Sequence, residues 1–290
     1  MMPRLEISWL AMLTVPPGVA VALGALALFY LAGALRLYRA RRKHSRPPTR
    51  LMWRHLAFLG ALVCLCVALS SWLDPLADSY FSMHMVQHML LVAFAAPLLA
   101  ASRTWRMIEA AIAPHTLREA RRLARRAAPT IVAMTTRVTA SPSVAYWLFT
   151  GTLWAWHAPA AYDLTLHNQA VHDLEHLSLL VTGVMFWSKA LGVPAHGNRM
   201  QPAQRAAYLV AGMAQMMVLA LVVAFVLPPY APYLASSTAR AQLSAVADQR
   251  LAAVVMLIMG GLPMIAASAW CLAQWVIAAP SYRTSAGRGR

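Results

Sequence analysis

Acidic residues, and charged residues in general, are scarce in this chain. Only 9 of its 290 residues are Asp or Glu, and all charged residues together make up 12% of the chain. Soluble globular domains carry about 25% charged residues. Because 60% of the residues are also hydrophobic, the composition excludes an ordinary soluble domain and predicts a polytopic membrane protein.

Cysteine is nearly absent as well. Cys64, Cys66 and Cys271 all lie within apolar runs, which argues against a disulfide framework and against a zinc ribbon. The basic excess gives a net charge of +16, but nucleic-acid binding would need this charge on one face of a soluble module. Here it lies in blocks between apolar runs, as signals of membrane topology do. The partners that it predicts are membrane lipids and not nucleic acid.

Seven apolar runs are long enough, or nearly so, to cross a bilayer, which takes about 20 residues. They cover approximately residues 19–37, 52–72, 80–101, 144–158, 172–191, 206–227 and 248–277. The fourth run is the shortest, and a kink at Pro159 would let it continue toward Leu166. The predicted fold is all-α, with seven transmembrane helices in one domain over residues 1–280 and a disordered basic tail at 281–290.

The basic residues predict the orientation. Of the 25 Lys and Arg residues, 22 fall on the side reached after the first, third, fifth and seventh runs. By the positive-inside rule that side is cytoplasmic, so the N-terminus lies outside and the C-terminus inside. In the loop between the third and fourth spans, five arginines between Arg118 and Arg126 have helical spacing. They predict a basic helix lying on the inner membrane surface.

Histidines recur at the outer ends of the predicted helices. His84 and His88 lie one turn apart in the third span, His172 and His176 do the same in the fifth, and the fourth span ends at His157. Residues four apart share one helix face, and polar groups inside a spanning helix usually serve a function. These five histidines, at one depth, are therefore the predicted metal ligands.

Three further polar residues are candidates for orienting those imidazoles. Gln87 lies beside the first pair, Glu175 beside the second, and Asp248 opens the seventh span. Interface solvation is the ordinary alternative for such groups, and Asp248 could equally be a ligand or the partner of Arg250. Methionines near the histidines would suit Cu(I), although methionine is also a common filler of apolar cores. No catalytic residue is predicted.

Several motifs, taken together, resemble one protein family. They are His84-Met-Val-Gln-His88 followed by Pro97, Trp154-Ala-Trp-His157-Ala-Pro-Ala-Ala-Tyr162-Asp163, His172-Asp-Leu-Glu-His176, Phe186-Trp187, Pro229-Tyr230-Ala-Pro-Tyr233 and Asp248-Gln249 with Met256. In this order they are similar to the multi-span CtaG family of cytochrome c oxidase assembly factors. A single proline at Pro97, and Met259-Gly-Gly-Leu-Pro263, depart from the pattern expected for the family. Both departures concern the shape of helices more than ligands.

The resemblance implies a non-enzymatic role in maturing a haem-copper oxidase in the bacterial inner membrane. It implies copper handled on the outer side, with oxidase subunits and a periplasmic copper donor as partners. Zinc and haem stay open as the bound group. The alternatives are an intramembrane zinc hydrolase, whose His-Glu-x-x-His motif does not match the spacing here, and a haem protein with axial histidines.

Overall fold

The computed structural model describes residues 14–41, 49–70, 72–193, 200–231, 233–234 and 243–278. The predicted basic tail at 281–290 lies outside these residues. Within them, all regular secondary structure is helical, which agrees with the predicted all-α class.

Fourteen α-helices and two π-helical segments follow one another along the described chain. In order they are α1 (Pro17–Arg41), α2 (Thr49–Ala68), α3 (Asp74–Ala77), α4 (Phe81–Met89), π1 (Leu90–Ala95), α5 (Ala96–Ser102), α6 (Thr104–Ala111), α7 (Pro114–Ala127), α8 (Pro129–Ala140), α9 (Pro142–Trp156), α10 (Pro159–His167), α11 (Gln169–Ala190), α12 (Pro202–Phe225), α13 (Ala245–Val255), π2 (Met256–Gly260) and α14 (Gly261–Ala278).

Five stretches of the described chain are long and apolar enough to cross a membrane. They are Pro17–Ala40, Leu51–Ala68, Phe81–Ser102, Pro202–Phe225 and Ala245–Ile277. The predicted fourth and fifth spans correspond to α9 and α11. With 15 residues, α9 is about 22 Å long, and α11 carries several polar residues in its first turns. Seven spans and their orientation therefore stay predictions.

The third span is the centre of the bundle. Two thirds (67%) of the hydrophobic window within Phe81–Ser102 is buried, compared with 11% for Pro17–Ala40. It is built from α4, π1 and α5, and helices α2, α11 and α13 pack against it. Polar side chains on this helix therefore face other helices.

Two prolines account for the two π segments. Pro97 follows π1 and Pro263 follows π2, and a proline leaves the carbonyl four residues earlier without its usual donor. Widening to π geometry rearranges the backbone hydrogen bonds just before each proline. At π1 the indole of Trp187 donates to the Val92 carbonyl at 2.8 Å, which anchors α11 to the central helix.

The arginine-rich stretch forms a helix, as predicted. It is α7, and its five arginines are Arg118, Arg121, Arg122, Arg125 and Arg126. None of its described residues is buried, which is compatible with a helix lying on a surface. Its position on the inner face of a membrane stays a prediction.

Candidate metal centre

The helix that carries the first histidine pair is capped from another helix. The residue before α4, Tyr80, makes no side-chain cap. Instead the Asp248 carboxylate, on α13, accepts from the backbone N–H of Phe81 at 2.6 Å and of Ser82 at 3.3 Å. It also accepts from the Ser82 hydroxyl at 2.5 Å. Because the first N–H groups of a helix lack intrahelical partners, this long-range cap fixes where α4 begins.

His84 and His88 are fully buried on one face of α4. Their Nε2 atoms are 2.9 Å apart, and their rings meet at 84°. Both ring nitrogens therefore point at the same place, as their four-residue spacing predicts.

The second pair lies on α11, which faces α4. Its first turn is capped by the Asn168 side chain, which accepts from the N–H of Ala170 at 3.0 Å and of Val171 at 3.3 Å. The rings of His172 and His176 have centroids 4.2 Å apart. Because this cap fixes where α11 begins, the face of α11 that carries His172 and His176 is turned toward the central helix.

The two pairs meet across the bundle. The His84 ring is 5.3 Å from that of His172 and 6.0 Å from that of His176, centroid to centroid. The His88 ring is 5.5 Å from that of His176. All four side chains are buried, so the stripes face each other inside the protein.

The Glu175 carboxylate lies between the two histidine pairs. Its Oε2 is 3.4 Å from Nε2 of His84, and its Oε1 is 3.5 Å from Nε2 of His88. One ligand atom from each of His84, His172, Glu175 and His176 can be chosen so that all four lie within 4.8 Å of one another. The sequence placed Glu175 among the residues that orient imidazoles, whereas its carboxylate is part of the cluster.

Several polar atoms of this cluster are buried without a hydrogen-bond partner among the described residues. They are Nδ1 of His84, Nδ1 of His88, Nε2 of His172, Nε2 of His176 and both carboxylate oxygens of Glu175. A buried polar group left unpaired costs about 1–3 kcal/mol. Six such atoms in one place would be a heavy cost for a purely structural cluster, and a bound cation is one way to satisfy them.

The fifth histidine, His157, ends α9 beside the cluster. Its ring centroid is 6.1 Å from that of His88. Its Nδ1 donates to the Leu153 carbonyl at 2.7 Å, and its Nε2 lies 3.3 Å from the Met85 sulfur. The Tyr230 hydroxyl donates to the His157 carbonyl at 2.8 Å. His157 is therefore near the cluster but faces a methionine.

The other two predicted orienting residues contact different groups. The Gln87 amide donates to the Ala68 carbonyl at 3.1 Å and to Asp74 Oδ1 at 2.7 Å. Burial raises the pKa of the Asp74 carboxyl above its ordinary value, and this hydrogen bond partly offsets the rise. Gln87 ties the central helix to the end of α2 and the start of α3, and Asp248 caps α4. Through these hydrogen bonds, Gln87 and Asp248 both position α4.

Buried aromatic side chains border the cluster. The His84 ring lies 5.0 Å from that of Tyr162, and Phe81 contacts Tyr162, Tyr230 and Tyr233 at centroid distances of 5.2, 4.7 and 5.7 Å. Tyr162 donates to the Tyr233 hydroxyl at 2.6 Å, because Tyr233 itself donates to the Ala77 carbonyl at 2.8 Å. Burial raises the pKa of the Tyr230 and Tyr233 phenols, so both stay protonated donors.

Sequence reasoning did not assign a role to these tyrosines. The signal was present in the Pro-Pro-Tyr-Ala-Pro-Tyr run after the sixth span, which contains Tyr230 and Tyr233. Only their contacts show that they belong beside the histidines.

The donor atoms fit a transition-metal ion. Two ligands that bind one ion at 2.0–2.1 Å in tetrahedral geometry lie about 3.3 Å apart. The two Glu175–histidine separations of 3.4 and 3.5 Å match this edge. Imidazole and carboxylate together suit zinc and copper.

Comparison with known proteins identifies the family. The family model described as cytochrome c oxidase caa3 assembly factor (Caa3_CtaG) matches residues 28–278. No curated protein and no solved structure gives a significant match. The matched region includes all five predicted histidine ligands and Glu175. This chain belongs to the Caa3_CtaG family of cytochrome c oxidase assembly factors.

Proposed function

We propose that this protein binds copper at the cluster formed by α4 and α11 and supplies it to a haem-copper oxidase during assembly. The ligand set is His84, His88, His172, His176 and Glu175, with His157 close by. The protein acts without catalysis, as a seven-span chaperone of the bacterial inner membrane with its N-terminus outside. The cluster then faces the periplasm, where a copper donor would load it and oxidase subunits would receive the ion.

One observation carries this proposal: two histidine pairs and a carboxylate converge in the protein interior, and one nitrogen of each ring has no hydrogen-bond partner among the described residues. A surface histidine would find water as a partner for its ring nitrogens, whereas the unpaired nitrogens of these four rings are buried. The oxidase link comes from the family, whose described role is cytochrome c oxidase assembly. Copper is the metal that such oxidases contain and that imidazole ligands bind well.

Haem is disfavoured as the bound group because Glu175 occupies the space between the two helices. A haem with axial histidines from two helices would take one ligand from α4 and one from α11 and would lie between them. The Glu175 carboxylate oxygens lie there, 3.4 and 3.5 Å from Nε2 of His84 and of His88. This arrangement leaves no room for a macrocycle between the two histidine pairs.

A zinc hydrolase stays the second candidate because of Glu175. Its carboxylate lies within 3.5 Å of the His84 and His88 imidazoles. A general base that activates a zinc-bound water would lie at a similar distance from the zinc ligands. Elemental analysis distinguishes the two candidates, since a hydrolase would purify with zinc and a copper chaperone would load copper.

The test is the metal content of purified protein after loading with copper or zinc. The variant His88→Ala/His176→Ala should retain no copper and should fail to mature the oxidase in cells. The matched control is His167→Ala, because His167 is an exposed histidine outside the cluster. The control should bind copper as the wild type does. Full oxidase maturation by the double variant, at normal protein level, would refute the proposal.

A further inference from the structure

His157 and Met85 form a contact that ordinary packing does not explain. The Nε2 atom of His157 lies 3.3 Å from the Met85 sulfur, and both side chains are buried, at 2% and 0% exposure. The contact joins the end of α9 to the central helix, 72 residues apart in sequence.

The hydrogen bond at Nδ1 of His157 determines whether Nε2, which faces Met85, carries a proton. The Leu153 carbonyl lies 2.7 Å from Nδ1 of His157, and a carbonyl oxygen can only accept, so Nδ1 carries the proton. In the neutral imidazole Nε2 then has a lone pair and no hydrogen. The thioether sulfur has no hydrogen either. Two electron-pair donors therefore face each other with no proton to share.

We propose that His157 Nε2 and Met85 Sδ form a soft subsite for a monovalent d¹⁰ cation, Cu(I), beside the imidazole–carboxylate cluster. This inference rests on the proposed function and adds the oxidation state of the ion. Imidazole and thioether are together the donor set that prefers Cu(I). Donor atoms that bind one ion at about 2.0 and 2.3 Å in tetrahedral geometry lie about 3.5 Å apart, close to the 3.3 Å found here.

The subsite adjoins the cluster. His88, one turn after His84 on α4, is three residues after Met85 and so lies beside it on the helix surface. Its ring centroid is 6.1 Å from that of His157. An ion held by Met85 and His157 can therefore take His88 as a further ligand, and His88 links the soft subsite to Glu175.

Not every buried methionine has this setting. Met89 and Met216 point their sulfurs at Gly260, where an added Cβ would lie 3.1 and 2.8 Å from them. These two flexible side chains fill the space left beside Gly260 by its missing side chain, which is the usual role of methionine in a core. The imidazole lone pair distinguishes Met85 from these two.

The test compares Ag(I), a redox-inert probe for Cu(I), with Zn(II), a probe for the imidazole–carboxylate cluster. Both affinities are measured by competition with a chromophoric chelator on the purified full-length protein in detergent. Met85→Leu conserves volume, so the core should stay packed. It should weaken Ag(I) binding at least about tenfold, since even the loss of an outer-shell partner of a metal site costs about tenfold or more, and it should leave Zn(II) affinity unchanged.

The control is Met83→Leu, the same substitution two residues earlier on α4, where Met83 is only half-buried. It should leave both affinities at wild-type values. X-ray absorption of the Ag(I) form should show a sulfur neighbour in wild type and in the Met83→Leu control, and none in Met85→Leu.

Two outcomes separate the subsite from the proposed function. If Met85→Leu binds Ag(I) as the wild type does, the subsite is refuted, while copper binding by the cluster can still stand. If Met85→Leu loses Ag(I) but His88→Ala/His176→Ala retains copper and matures the oxidase, the subsite is supported and the proposed function fails.

Discussion

Removing the carboxylate of Asp248 should destabilise the protein and displace the first histidine pair. Asp248 accepts from the N–H of Phe81, the N–H of Ser82 and the Ser82 hydroxyl, and it is 4% exposed. Asp248→Ala leaves two buried backbone donors unpaired at about 1–3 kcal/mol each. Part of this cost is offset because a buried carboxylate no longer needs to be desolvated. We expect a net loss of about 3 kcal/mol in the free energy of unfolding.

The conservative variant separates positioning from ligation. Asp248→Asn keeps one acceptor oxygen, so it should lose only about 1 kcal/mol and retain full copper stoichiometry. Equilibrium unfolding in mixed detergent micelles, followed by helical circular dichroism, gives the free energies. Elemental analysis of the same samples gives the metal content.

The control for Asp248 is Asp173→Ala. Asp173 is exposed on α11 and accepts from the exposed Gln169 amide, at 2.9 Å, so its loss should cost within about 0.5 kcal/mol. A stability of Asp248→Ala equal to that of this control would contradict the capping argument. Loss of copper from Asp248→Asn at wild-type stability would instead make Asp248 a ligand.

Three further predictions concern the fold. Trp187→Phe removes the indole donor to the Val92 carbonyl in π1 and should lower the free energy of unfolding by about 1–2 kcal/mol, measured in the same micelles. Gly33→Ala should lower the melting temperature, because the new methyl would overlap the Met107 carbonyl on α6. Its matched control is Gly24→Ala, which has open space around it and should be neutral or stabilising by up to about 1 kcal/mol. A topology reporter fused after Arg290 should be cytoplasmic, and a reporter inserted between the sixth and seventh spans should be external. The inverse pattern would disprove the predicted orientation.

The sequence by itself determined the all-helical class, the long apolar helices and the spacing of polar residues within them. Apolar length predicts where spans begin and end, because a helix crossing a bilayer must satisfy its own backbone. The predicted third span, 80–101, is found as Phe81–Ser102. A four-residue spacing places His84 above His88 in any α-helix, so the facing of each pair follows from local geometry alone. The family also followed from the motifs, and the family comparison confirmed it.

The tertiary structure decided which of these faces meet. Spacing could not show that Glu175 lies between the two pairs, because that depends on the rotation of α11 against α4. Nor could it show that Asp248 caps α4, a contact across 167 residues. The same holds for His157 and Met85, whose contact needs α9 to end beside the central helix. Helix periodicity is a local property, whereas the meeting of donor atoms depends on how side chains pack between helices.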